Sequence, residues 1–215
     1  MKPTEKKFAW RARQWAWLRY ILGRNGLPEH QWGRIVMRQR TRALIRELGP
    51  QRLNTLEISG NDWVSGGFQS YQEAWYPEYD ICANPLEKKF DLVIAEQVFE
   101  HVLWPLRGIR NVHSMLADGG HFLITLPFLV KIHGHPIDCS RWTELGLKHL
   151  LAEGGFSLDS IRTEAWGNRA CARAMMKRWT PYVPFLHSLK NEPDFPVHVW
   201  ALARKDLKAA PPSGR

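Results

Sequence analysis

The chain is poor in cysteine, with three in 215 residues (Cys82, Cys139 and Cys171). They are scattered and odd in number, and no C-x-x-C pair occurs. That excludes a disulfide-stapled scaffold and predicts reduced thiols in a cytoplasmic setting. Long apolar runs are missing as well. No window approaches the roughly 20 apolar residues needed to cross a bilayer as a helix. The N-terminus has no apolar core followed by a small-residue cleavage site, so no secretory signal is expected. Internal repeats are also absent. What remains is a chain with 44% hydrophobic residues, enough for one compact domain with an N-terminal extension.

The charge is unevenly placed. Residues 1–50 hold twelve Lys and Arg against three acids (Glu5, Glu29, Glu47), whereas residues 51–215 hold eighteen of each. The whole formal charge of +9 therefore sits in the first fifty residues. Phe8, Trp15, Leu18 and Leu22 share one helical face there, with Arg11, Arg13, Arg19 and Arg24 in or beside the same helix. A second helix is predicted from about Gln31 to Leu48. Three readings are open: a lid packed on the main domain, a surface for anionic membranes, and a track for nucleic-acid phosphates. The tryptophan-rich first helix also offers a homodimer surface. The expected division is a basic helical extension or lid over 1–50, a main domain over 51–207 and a disordered tail over 208–215.

The densest pattern lies between Phe90 and Phe128. Leu92 to Ala95 is a short apolar run, as in a strand buried on both faces. Val98, Val102, Leu106, Ile109, Val112 and Leu116 recur at helical spacing. Asp118-Gly119-Gly120 is expected to end that helix, and His121 to Leu126 is a second apolar strand. This is a βαβ unit, which predicts a mostly parallel sheet with helices on its faces. Ligands of such sheets bind at the carboxyl ends of strands. One unit earlier, Leu53 to Ser59 is a strand followed by Gly60-Asn61-Asp62. A carboxylate (Glu57) and a glycine (Gly60) at that place suit a nucleoside cofactor.

Four segments together resemble the class I S-adenosylmethionine-dependent methyltransferases. Leu56-Glu57-Ile58-Ser59-Gly60 is similar to their first motif. Phe90-Asp91-Leu92-Val93 through Glu100-His101-Val102 is similar to the region of their fourth strand. Leu116-Ala117-Asp118-Gly119-Gly120 through Pro127 resembles their L-x-x-G-G turn and fifth strand. Leu150-Leu151-Ala152-Glu153-Gly154-Gly155-Phe156 resembles their L-L-x-x-x-G-F turn. The resemblance covers roughly Leu53 to Arg204. It implies a Rossmann-like αβα sandwich with an antiparallel last strand. It also implies S-adenosylmethionine as methyl donor, held by Glu57, Ser59, Gly60, Asp80, Ala95, Glu96 and Gln97. The chain departs from the family in its first motif, where one glycine is followed by Asn61-Asp62-Trp63. Too few residues follow for the usual helix before the next strand-like segment, Tyr71 to Trp75. Glu73 is the second choice, after Asp80, for the acid that contacts the donor.

Candidate chemistry gathers after the fifth strand, in Lys131 to Thr143. His133 and His135 titrate near neutrality and can take a proton from an acceptor. Asp138 can orient a histidine or hold a hydroxyl. Arg141 and Trp142 are candidate substrate contacts, Arg141 through a carboxylate or phosphate. Loop hydrogen bonding and a metal site are the competing readings of this cluster, the latter without a full ligand set. His101 is a further catalytic candidate, since one of Glu100 and His101 can face the cleft. Ser140 or Thr143 is read as a cap of a helix starting near Glu144. Strands are predicted over Ser157–Trp166 and Pro196–Arg204, with a helix from Asn168 to Trp179 between them. Asn168 and Arg169 are candidate acceptor contacts. The expected activity is methyl transfer to an oxygen or nitrogen of a small hydroxylated acceptor, such as a sugar. A scaffold that has lost catalysis, and an enzyme acting on RNA or at a membrane, are the alternatives.

Overall fold

The computed structural model describes residues 31–134 and 137–207. The helix expected before residue 31, His135 and the tail from 208 lie outside the described residues. A six-stranded sheet has the order β2-β1-β3-β4-β6-β5. Its strands are β1 (Asn54–Ile58), β2 (Ser70–Ala74), β3 (Phe90–Glu96), β4 (Leu116–Pro127), β5 (Ile161–Trp166) and β6 (His198–Arg204). The first four pair in parallel. Strand β6 runs antiparallel to both of its neighbours, β4 and β5. The helices of the described residues are α1 (Arg34–Glu47), α2 (Pro105–Met115), α3 (Glu144–Glu153) and α4 (Arg169–Lys177).

The alternation of side chains along a strand assigns the two faces. Val93, Ala95, Phe122 and Ile124 pack with Ile109, Val112 and Met115 of α2 and with Leu147 and Leu151 of α3. On the opposite face Leu92, Ile94 and Leu123 pack with Ile45 of α1 and with Trp63. Met37 and Leu44 of α1 meet Cys171, Ala172 and Met175 of α4 over Trp200. Apolar residues on both faces are what two-sided helix cover requires. Each such buried Val, Leu, Ile, Phe or Met side chain contributes roughly 1.5–3 kcal/mol. Helix α1, part of the basic segment in the sequence reading, is thus built into the same core as the sheet.

No helix covers the crossover from β1 to β2 among the described residues, as the short sequence there foreshadowed. Trp63, in the loop between these strands, fills that face instead.

Other boundaries differ from the sequence pattern for identifiable reasons. The helix expected from Val98 to Leu116 is split into a 3-10 turn at Phe99–His101 and α2. Pro105 sits at its first turn, where a missing N–H costs nothing, and the helix begins there. Asp118-Gly119-Gly120 does not end the helix but lies inside β4. Gly119 has φ 79° there, and the pairing of β3 with β4 shifts register between Phe90 and Leu92. The glycines therefore serve a bulge. The strand expected from Ser157 starts only at Ile161, after a 3-10 turn at Leu158–Ser160.

Candidate active site

The chain passes from β1 outward to β2 and then returns to place β3 on the other side of β1. The carboxyl ends of β1 and β3 therefore flank a topological switch point, where open α/β sheets bind ligands. A cavity of about 470 Å³ opens there. Ile58 and Ser59 line it at the end of β1, Gln97 and Val98 just after β3, and Trp75, Tyr76, Tyr79, Asp80, Ile81 and Cys82 from the segment after β2. Val102, Leu103, Trp104 and Ile137 form the remaining rim with His101.

Two residues on this wall have left-handed backbones without being glycine: Ser59 with φ 50° and Gln97 with φ 59°. Such a backbone costs about 1–2 kcal/mol in a residue with a Cβ. Both lie immediately after the two strands that flank the switch point. They turn the chain sharply away from the sheet and leave its edge open. The Gln97 amide donates to the Thr125 carbonyl and its side-chain nitrogen donates to Thr125 Oγ1, at 3.0 and 3.1 Å, which fixes this turn.

The carboxylates behind the wall are already engaged. Glu57 accepts from the Asp62 and Trp63 amides, both at 3.1 Å, and from the Tyr71 hydroxyl at 2.5 Å. Burial raises its pKa, and these three hydrogen bonds pull it back. A Cβ added to Gly60 would sit 2.4 Å from Glu57 Oε1, so glycine there admits the carboxylate. Glu96, expected to face the donor's cationic group, instead accepts from Arg38 Nε at 3.1 Å and Trp63 Nε1 at 3.0 Å. Its side chain is 4% exposed. Ala95 is fully buried in the core. Of the residues expected at the donor, Ser59, Asp80 and Gln97 line the cavity, while Glu57 and Gly60 support the loop beside it. Asp80 Oδ1 accepts from the Cys82 amide at 2.8 Å, so its position is fixed by its own turn.

A second polar group lies behind the His101 side of the cavity. His101 Nε2 is 3.6 Å and His133 Nε2 is 3.9 Å from Oε1 of Glu100. The two imidazoles meet edge to face, with ring centres 5.1 Å apart. Glu100 is 0% exposed, and burial pushes its carboxyl up to about 7. Burial lowers the pKa of His133, against the attraction of Asp138. Asp138 accepts from the His133 amide at 2.9 Å and from both terminal nitrogens of Arg141. Desolvation opposes its ionisation, yet these bonds hold it below the usual carboxylate range. Arg141 is thereby committed to Asp138 and not to a free anion. Trp142 packs partly buried against the main core and is not part of the cavity wall.

Two expected acceptor contacts are corrected. Asn168 is buried and caps α4, accepting from the Cys171 amide at 2.8 Å. Its side-chain nitrogen donates to the Ser188 and Lys190 carbonyls. Both of its N–H groups are engaged, and the side chain is buried away from any substrate. Arg169 lies over the Phe195 ring at 4.7 Å, apart from the cavity. The sequence reading passed over the aromatic wall of Trp75, Tyr76 and Tyr79. Three aromatics in five residues after a strand were the available signal.

A family model described as a methyltransferase domain matches residues 40–161, more than half of the chain. The chain belongs to the methyltransferase domain family. The match runs from within α1 to the first residue of β5, so it includes both strands at the switch point. No curated protein matches the chain in sequence.

Solved structures share the fold of this methyltransferase domain. The 1,6-didemethyltoxoflavin-N1-methyltransferase of Burkholderia thailandensis, with 1,6-didemethyltoxoflavin and S-adenosylhomocysteine bound, superposes with a TM-score of 0.55. It is 14% identical, over 96% of this chain and 91% of its own. A methyltransferase from Thermotoga maritima gives 0.54 at 11% identity, over 83% and 100%. Phosphoethanolamine N-methyltransferase 2 of Haemonchus contortus, in complex with S-adenosyl-L-methionine, gives 0.51 at 13% identity. That alignment covers 78% of this chain and 52% of the Haemonchus protein, so the chain spans about half of its length. At these identities the likeness establishes a Rossmann-like fold and no more. No helix of the described residues is long and apolar enough to cross a membrane.

Proposed function

We propose that this methyltransferase domain transfers the methyl group of S-adenosylmethionine to an oxygen or nitrogen of a small hydroxylated acceptor. The observation that carries the proposal is the cavity at the switch point, built on the sharp turns at Ser59 and Gln97. Its volume is within the range of small-molecule and cofactor pockets. The aromatic wall of Trp75, Tyr76 and Tyr79 suits a nucleoside base, and Asp80 suits its exocyclic amine. The loop Ser59-Gly60, held from beneath by Glu57, suits the amino-acid end of the donor. Glu96 acts one layer back, fixing Trp63 and Arg38 behind this loop.

The acceptor enters at the rim formed by Leu103, Trp104 and Ile137, next to His101. Its lone pair forms the new bond to the methyl carbon while the S–CH3 bond breaks. The bonding electrons stay on sulfur, giving S-adenosylhomocysteine, and the acceptor's proton leaves to water. Positioning of the two reactants is the main contribution of such a site.

Calorimetric titration with S-adenosylhomocysteine tests the reading. Wild type is expected to bind in the micromolar range. Trp75→Ala, at an exposed side chain and with folding checked by circular dichroism, is expected to weaken binding about tenfold, the scale of one aromatic stacking contact. Absence of binding by folded wild-type protein at millimolar ligand would reject the donor site.

A further inference from the structure

We infer that Glu100, His101 and His133 form a divalent transition-metal site beside the cavity. The candidate ligand atoms, one from each residue, all lie within 4.8 Å of one another. The separations of 3.6 and 3.9 Å from Glu100 Oε1 to the two Nε2 atoms are too long for hydrogen bonds. They approach the edge of a tetrahedron around an ion with bonds of about 2.1 Å, which is about 3.4 Å. Neither oxygen of Glu100 has a hydrogen-bond partner from another residue although the side chain is fully buried; its own backbone amide alone acts on it. A buried carboxylate without a partner is costly, and a coordinated cation removes that cost.

The outer nitrogens of the two rings support the assignment. His101 Nδ1 bonds the Ile137 carbonyl, which can only accept. This puts the ring proton on Nδ1 and leaves a lone pair on Nε2. His133 Nδ1 lies 3.2 Å from Asp138 Oδ2 without a hydrogen bond between them, and Asp138 is itself held by Arg141. The carbonyl behind His101 fixes its tautomer, and the carboxylate close behind His133 is placed as second-layer groups of a metal site are. The His101 Nε2 lone pair then faces the Glu100 carboxylate, and with its proton on Nδ1, toward Asp138, His133 offers its Nε2 as the second nitrogen ligand. Arg34 and Arg141 attract Glu100 but supply it no hydrogen bond.

Two imidazoles and one carboxylate favour Zn²⁺ or a neighbouring late transition ion over Mg²⁺ and Ca²⁺, which prefer oxygen ligands throughout. Three protein ligands leave a coordination position free, as in catalytic zinc sites. His101 belongs to both the cluster and the cavity wall, so the free position is available to the acceptor side. There the ion would bind an acceptor hydroxyl and ease loss of its proton. That use rests on the methyl-transfer reading; the binding of the ion does not.

Full-length protein stripped with a chelator would be titrated with Zn²⁺, with Mg²⁺ as the contrast, by calorimetry. One Zn²⁺ per chain at micromolar affinity or better is expected, with Mg²⁺ at least 100-fold weaker. Glu100→Gln and His133→Ala should each weaken Zn²⁺ binding at least 30-fold. Asp138→Asn should weaken it 10- to 100-fold, as outer-layer changes do. Circular dichroism and S-adenosylhomocysteine titration check each variant for folding and for the donor site. Visible absorption of Co²⁺-loaded wild type reads the ligand set without any variant, and bands of four- or five-coordinate ligation are expected. Failure of wild type to bind Zn²⁺ at 100 μM would overturn the site, as would affinity unchanged in all three folded variants. Zn²⁺ binding without S-adenosylhomocysteine binding would uphold the metal site and reject only the donor reading.

Discussion

Glu57 and Glu96 sit at comparable places near the carboxyl ends of β1 and β3, yet each is turned away from the cavity by residues that a local pattern does not reveal. Tyr71 is on the neighbouring strand, and Arg38 is 58 residues from Glu96. Glu57 acts as a staple: it collects two amides and a hydroxyl, and so fixes a loop that lacks the usual glycines. Tyr71→Phe should destabilise the protein by about 1–3 kcal/mol in urea unfolding, because a buried carboxylate loses its one side-chain donor. An unchanged midpoint would mean that the two amides suffice. The same lesson applies to Asn168, read from sequence as a substrate contact. Asparagine before a helix is as much a cap signal as a functional one, and here the cap takes its oxygen while the chain at Ser188 and Lys190 takes its nitrogen.

Helix α1 docks on the sheet through an unusually close approach. A Cβ on Gly33 would meet the His198 ring and Val197 at 2.9 Å. His198 is buried in β6, its Nδ1 3.1 Å from the Gly33 carbonyl, and burial drives its pKa down to about 3. An unfolded histidine titrates near 6.5. Above that pH both states are neutral and the contact is fully expressed. Between about 6.5 and 3 the unfolded chain takes up the proton that the fold refuses, so stability falls as pH falls. Between pH 7 and pH 5 this one site should remove about 2 kcal/mol. Urea unfolding of wild type and His198→Gln at several pH values checks this. The wild type should lose more stability on acidification, and parallel profiles would contradict the assignment. Among the other elements, α3 was the most legible: Thr143 accepts from the Gly146 amide at its start, as its sequence position implies. Helix α2 was less so, because apolar spacing continued through Pro105 and concealed the break.

For the whole molecule, the open cavity predicts coupling between donor binding and stability. A ligand at 100 times its Kd stabilises the folded state by about 2.7 kcal/mol. For a domain of this size that corresponds to a rise in Tm of roughly 5–10 °C, measurable with S-adenosylhomocysteine by scanning calorimetry. No shift at saturating ligand would count against the cavity as donor site. By itself the sequence determined the succession of strands and helices, the parallel centre of the sheet and the resemblance to methyltransferases. Those features depend on apolar spacing and on glycine and proline, which act over a few residues. Tertiary structure alone decided which polar groups meet. It turned Glu96 to Arg38, sealed the missing crossover helix with Trp63, and brought Glu100 and His101 to His133 from the far side of β4. Strand register and helix docking set the direction of each side chain, and both follow from contacts between residues distant in the chain.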